Sequence, residues 1–137
     1  MNARTWLLRA RRLDEEIAGL LETRDAEFTR VTSITQKLSG SVVQTSKDPH
    51  KYDRLVELEM EIDNAVDELI RVKGEVLSGI MRLEDGRHRK ILRLRYVDGK
   101  TFEEIAVMIK YSYKQTRRLH AAALGKMEEV LNGNKNT

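Results

Sequence analysis

The residues most suited to recognition chemistry lie in one short run, Ser112-Tyr113-Lys114-Gln115-Thr116-Arg117-Arg118. On a helix that starts at Ser112, the side chains of Tyr113, Lys114, Arg117 and Arg118 share one outward face. An arginine there can bond a guanine edge through two donors, while lysine and tyrosine grip phosphate or pack on sugar. The free amides and the positive dipole at such a helix start also suit a phosphate. Other candidate chemistry is thin. His50, His88 and His120 are too scattered for metal ligation. Asp14-Glu15-Glu16 and the acidic residues Glu57 to Glu68 fall on amphipathic segments without a partner nucleophile. There is no cysteine and no phosphate-cradling glycine motif. No enzyme, metal or cofactor is expected.

The elements that present this run read clearly. Thr101-Phe102-Glu103-Glu104 and Ser112-Tyr113-Lys114-Gln115 are both capping boxes, in which a hydroxyl and a side chain three residues on cap each other's amides. They start a short helix to about Ile109 and a long one to about Leu131, with a tight turn at Lys110-Tyr111. A preceding helix is expected over Arg87 to Val97, with Ile91, Leu92 and Leu94 inward and Asp98-Gly99-Lys100 as a turn. Short helix, turn and longer basic helix make a helix-turn-helix. Ala106 is the small residue at the crossing, and Ile105, Ile109, Thr116 and Leu119 form the shared core.

Upstream the chain reads as two long amphipathic helices. The first spans about Ala3 to Lys37, with a stripe Trp6, Ala10, Leu13, Ile17, Leu20 that resumes at Phe28, Val31 and Ile34. The second spans Pro49 to about Leu83, with Asp48 as its cap and Pro49 in its first position. Its stripe is Leu55, Leu58, Ile62, Val66, Leu69, Val72 or Lys73, Val76, Ile80 and Leu83, close to the coiled-coil period. Between them Ser39 to Pro49 has loop composition. The two stripes can bury each other as an antiparallel hairpin or pair with a second chain.

Charge sharpens the division. The whole chain carries +3. Residues 1–85 hold 13 Lys/Arg against 17 Asp/Glu, whereas residues 86–126 hold 11 against 3. A positive block of this kind is the footprint of a polyanion-binding unit. No window is apolar enough to span a membrane, and the Trp6-Leu7-Leu8 patch runs into Arg9, Arg11 and Arg12, unlike a leader peptide.

Thr101 to Ala106, then Ser112, Arg117, Ala121, Ala123, Leu124 and Lys126, resembles region 4 of sigma-70-type factors. Arg89 to Tyr96 is similar to the helix before it, with its Leu-Arg-Tyr ending. The resemblance implies that Tyr113, Lys114, Arg117 and Arg118 occupy the positions that read the −35 promoter element. The whole layout resembles small regulators encoded by phages and prophages of low-GC Gram-positive bacteria, of the ArpU and RinA late-operon types. They share a helical hairpin, a Ser/Thr-rich loop, an acidic helix and a Tyr-Ser turn followed by Arg-Leu-His, here Tyr111-Ser112 and Arg118-Leu119-His120. Two positions depart from the sigma pattern. Lys110 stands where the turn usually has glycine, which requires a left-handed backbone or a different turn. Thr116 stands at an apolar position of the recognition helix.

The expected fold is therefore all-α: a helical hairpin over 1–83 with its loop near 38–49, a region 4-like helix-turn-helix over 84–131, and a flexible tail at 132–137. The expected function is sequence-specific transcriptional regulation at promoters in the cytoplasm of a bacterial host. The DNA-facing residues would be Tyr113, Lys114, Gln115, Arg117, Arg118, Ser112, Thr101, Arg89 and Lys110. The expected partners are double-stranded DNA, RNA polymerase and a second copy of the chain paired through the hairpin, with no membrane. The alternatives are a polymerase- or sigma-associated interaction module and, further off, a DNA-packaging protein like a small terminase.

Overall fold

The computed structural model describes residues 2–38 and 49–133, with side chains at all of these except 34–38. The order is α1 (Ala3–Leu38), α2 (Asp53–Ile80), α3 (Gly86–Leu92), a π-helical turn (Arg93–Val97), α4 (Phe102–Ile109) and α5 (Tyr113–Asn132). The described residues contain no strand, so the fold is all-α. Among them no helix is long and apolar enough to cross a membrane.

Each helix start has a local cause. The Asn2 carboxamide accepts the Thr5 amide at 2.8 Å and so caps α1. The second helix does not begin at Pro49, as its sequence suggested. Residues 49–52 form turns, the Asp53 amide bonds the His50 carbonyl at 3.1 Å, and α2 starts only at Asp53. Asp48 lies outside the described residues, as does nearly all of the expected loop and tail. Asp85 caps α3 by accepting the Arg87 amide at 2.8 Å. The helix expected to run evenly from Arg87 to Val97 widens at Arg93. The Asp98 amide reaches the Arg93 carbonyl five residues back, at 2.9 Å. Gly99, at φ 72°, then turns the chain into α4.

The contacts do not divide the chain at the expected junction of 83 and 84. They form one compact unit from residues 1–13 and 69–137 and another from 14–68. The core of the first explains its composition. Ala3, Leu7 and Ala10 of α1 and Val72, Val76 and Ile80 of α2 are buried in one cluster with Ile91, Leu92, Leu94, Tyr96, Ile105, Ala123 and Met127. The C-terminal helices therefore use the start of α1 and the later part of α2 as walls of their core. Val72, not Lys73, is the buried stripe residue of α2. The amide of Ala3 donates to the Glu128 carboxylate on α5, which ties the first turn of α1 across 125 residues of sequence.

Trp6 lies so close to α2 that glycine is required opposite it. A Cβ on Gly79 would sit 2.6 Å from Trp6 Cη2 and 3.0 Å from Met127 Cε. Gly79→Ala should therefore destabilise the fold by about 1–3 kcal/mol through overpacking, despite alanine's better helix propensity. Gly74→Ala, which meets open space on the same helix, should instead stabilise by up to about 1 kcal/mol. Urea unfolding of both variants checks this, and equal effects would refute the close packing.

In the second unit α1 and α2 run antiparallel. Arg24 pairs with Glu59 at 3.4 Å, and the Glu27 carboxylate, three residues on, lies in the field of Arg54. Val31, Leu58 and Ile62 are buried in this unit, but Phe28, expected on the same stripe as Val31, is 58% exposed.

Candidate nucleic-acid interface

Both capping boxes form as their sequences dictate. The Thr101 hydroxyl accepts the Glu104 amide at 3.1 Å, and the Glu104 carboxylate accepts the Thr101 amide at 2.9 Å. Ser112 and Gln115 repeat the pattern at 3.1 and 3.0 Å. The turn between the helices depends on Lys110, which takes the left-handed conformation at φ 61°, ψ 41°. The Tyr111 amide then reaches back to the Ala106 carbonyl at 3.0 Å. Left-handed backbone disfavours any side chain with a Cβ. Lys110→Gly should leave stability unchanged or raise it by up to about 1 kcal/mol. A thermal melt would show a marked loss instead if the turn were strain-free.

Ile105 and Thr116 are fully buried and Ala106 is nearly so, while Ile109 and Leu119 are half-buried. Threonine at 116 does not leave a polar gap. Its hydroxyl donates to the Ser112 carbonyl at 2.8 Å within its own helix, so the buried oxygen is satisfied and the methyl packs inward.

The outward face is as the sequence suggested. Tyr113, Lys114, Gln115, Arg117 and Arg118 are all exposed on the first turns of α5. Arg117 is held in place, with its guanidinium 4.5 Å above the Phe102 ring and donating to the Tyr113 hydroxyl at 3.2 Å. Arg95 lies over the same ring at 4.3 Å and donates to the Lys100 carbonyl at 3.1 Å. Sequence reasoning assigned no role to Phe102 or Arg95. A phenylalanine directly after an N-cap, with arginines on two neighbouring elements, was the available signal.

Other expected site residues have structural work. The Thr101 and Ser112 hydroxyls and the Gln115 carbonyl are committed to caps. Arg89, expected among the DNA-facing residues, donates to the Leu83 and Glu84 carbonyls at 2.6 and 2.9 Å. It closes the chain just past α2 rather than joining the basic face of α5. His88, in the same basic run, is buried and 3.9 Å from the Asp85 carboxylate. Asp85 itself is held down to about pKa 2, chiefly by the Arg87 side chain and amide. His120, two residues past Arg118, is buried too. Its Nε2 shares a 2.7 Å hydrogen bond with the Tyr96 hydroxyl, and the Phe102 ring meets its imidazole edge-on at 4.8 Å. Among the described residues no group of three or more His, Asp or Glu could hold a metal.

Two capped helices, a left-handed turn and an exposed basic helix start thus occupy one continuous stretch. Residues 85–129 match the family model of sigma-70, region 4. Sigma-70 region 4 is a DNA-binding helix-turn-helix domain that also interacts with RNA polymerase. The match spans a third of the chain and holds the exposed basic face of α5, within a region 4-like unit that takes part of its core from α1 and α2. No curated protein and no solved structure matches the chain.

Proposed function

We propose that the chain is a sequence-specific DNA-binding transcriptional regulator of phage or prophage origin that acts at promoters. The exposed basic start of α5, set on two complete capping boxes inside the region 4 match, carries this reading. In it Arg117 and Arg118 read base edges from the major groove, Tyr113 and Lys114 hold the backbone, and Gln115 and Lys110 flank them. Residues 84–131 are the reading part. The ends of the 1–83 hairpin that wall its core support it, and the remainder of that hairpin, residues 14–68, supplies contact with a second copy or with polymerase. The test is duplex binding followed by fluorescence anisotropy across a salt series, with selection of bound sequences from a random pool. Steep salt dependence and one recovered motif support the reading. Salt-insensitive binding or an unenriched pool rejects it.

A second reading, an RNA polymerase-associated interaction module, is favoured by a specific surface. A cleft of about 390 Å³ has Met108, Ile109 and Leu119 in its lining and Arg87, Lys90 and Lys110 around them. Val107 on the same helix is 79% exposed. Capture of a polymerase subunit that survives the joint change of Arg117 and Arg118 to alanine would favour this reading over the first.

A further inference from the structure

The basic surface of the region 4-like unit does not end at α5. Arg95 and Arg117, from the π-helical turn and from α5, both lie over Phe102 at 4.3 and 4.5 Å. Two like charges are therefore brought to one ring, on the same unit as the first turns of α1. In α1 the buried residues Ala3, Leu7 and Ala10 fix which side faces the core. Arg4 and Arg11 each follow one of these alanines directly. Seven residues apart, they share one side of the helix at a spacing of about 10 Å along its axis. The Ala3–Glu128 bond and the Asn2 cap hold this first turn in place.

The charges on this side are felt across the three elements. After burial, the influences that disfavour the charged form of Arg95 are the cations Arg11, Arg117 and Arg4. Those acting on His120 are Arg95, Arg117 and Arg4. Several cations carried by one unit make a surface that a polyanion can meet.

We propose that Arg4 and Arg11 of α1, together with Arg95, form a second phosphate-binding flank beside the recognition helix, extending the grip on duplex DNA outside the region 4 match. This rests on the DNA-binding reading given above. The flank contacts backbone and not bases, so it adds affinity and salt dependence without changing the sequence preferred. Arg117 is shared, anchored on Phe102 between the reading face and the flank.

The experiment compares the full chain with Arg4→Gln/Arg11→Gln and with Arg4→Lys/Arg11→Lys, on the selected duplex and on a random duplex. For the glutamine variant, the slope of log affinity against log salt should fall by about 2, one unit per lost phosphate contact. Its affinity should drop by a similar factor on both duplexes, and the lysine variant should recover most of the loss. Thermal melts report whether the fold is kept. If the double variant unfolds, the exposed single change Arg4→Gln carries the test, with an expected slope change of about 1. An unchanged slope in a folded glutamine variant, while the parent chain binds duplex steeply, overturns the flank and leaves the recognition helix standing. A parent chain with no salt-steep binding overturns both.

Discussion

Arg118→Ala should weaken binding to the selected duplex by about 5- to 150-fold, corresponding to about 1–3 kcal/mol for one lost bidentate base contact. Binding to a random duplex should change far less, so the variant's preference between the two collapses. Arg118 is exposed beside Lys114 on the face of α5 that its buried side defines through Thr116, His120 and Ala123. Lys114→Ala is the contrast. It should weaken both duplexes alike and lower the salt slope by about 1. Anisotropy titrations at matched salt separate the two patterns. If Arg118→Ala weakened both duplexes equally, Arg118 would be a phosphate contact and the assignment of base reading to it would fail.

The second large effect is on stability as pH falls. His120 is 8% exposed, against Tyr96 and Phe102. Burial first, then the Arg95, Arg117 and Arg4 guanidiniums, lowers its pKa from 6.5 to about 4. The unfolded chain takes up this proton near pH 6.5, and the folded chain takes it up only near 4. Stability from His120 is therefore fully present above pH 6.5 and is lost as pH falls toward 4, amounting to about 3 kcal/mol over the window. Urea midpoints taken between pH 7 and pH 4 should fall accordingly, and His120→Leu should lose most of that dependence. The same acid slope in the leucine variant would show that other groups carry it.

How far the sequence could be read differs between elements for physical reasons. The capping boxes and the face of α5 depend on residues within one turn of each other, so spacing alone revealed them. At Lys110 the sigma resemblance marked a usual glycine position and left a left-handed backbone or a different turn open, and the chain takes the left-handed one. The start of α2 was not. Asp48-Pro49 is a good helix start in isolation, yet the chain turns once more and uses Asp53. The bonds Arg89 makes were not legible because its partners, the Leu83 and Glu84 carbonyls, lie past the end of α2 at Ile80, where periodicity had carried the helix on to Leu83. Arg95 and Phe102 were passed over because their meeting with Arg117 is a tertiary contact. The largest gap was the unit boundary. The apolar stripe of α1 was visible, but a stripe does not say which partner covers it. Ala3, Leu7 and Ala10 are covered within the same core as Ile105 and Met127.

That shared core has a kinetic consequence. The unit that holds α5 is closed by residues 125 positions apart in the sequence, with Ala3 bonded to Glu128. Contacts of such sequence separation form late, since the entropy of closing the intervening loop is lost before they repay it. During synthesis the first turns of α1 leave the ribosome well before the segments they pack on. Until α5 follows, Leu7 and Trp6 have no complete core to enter. On the DNA-binding reading proposed above, the basic start of α5 is fully supported only after α1 and α5 have met.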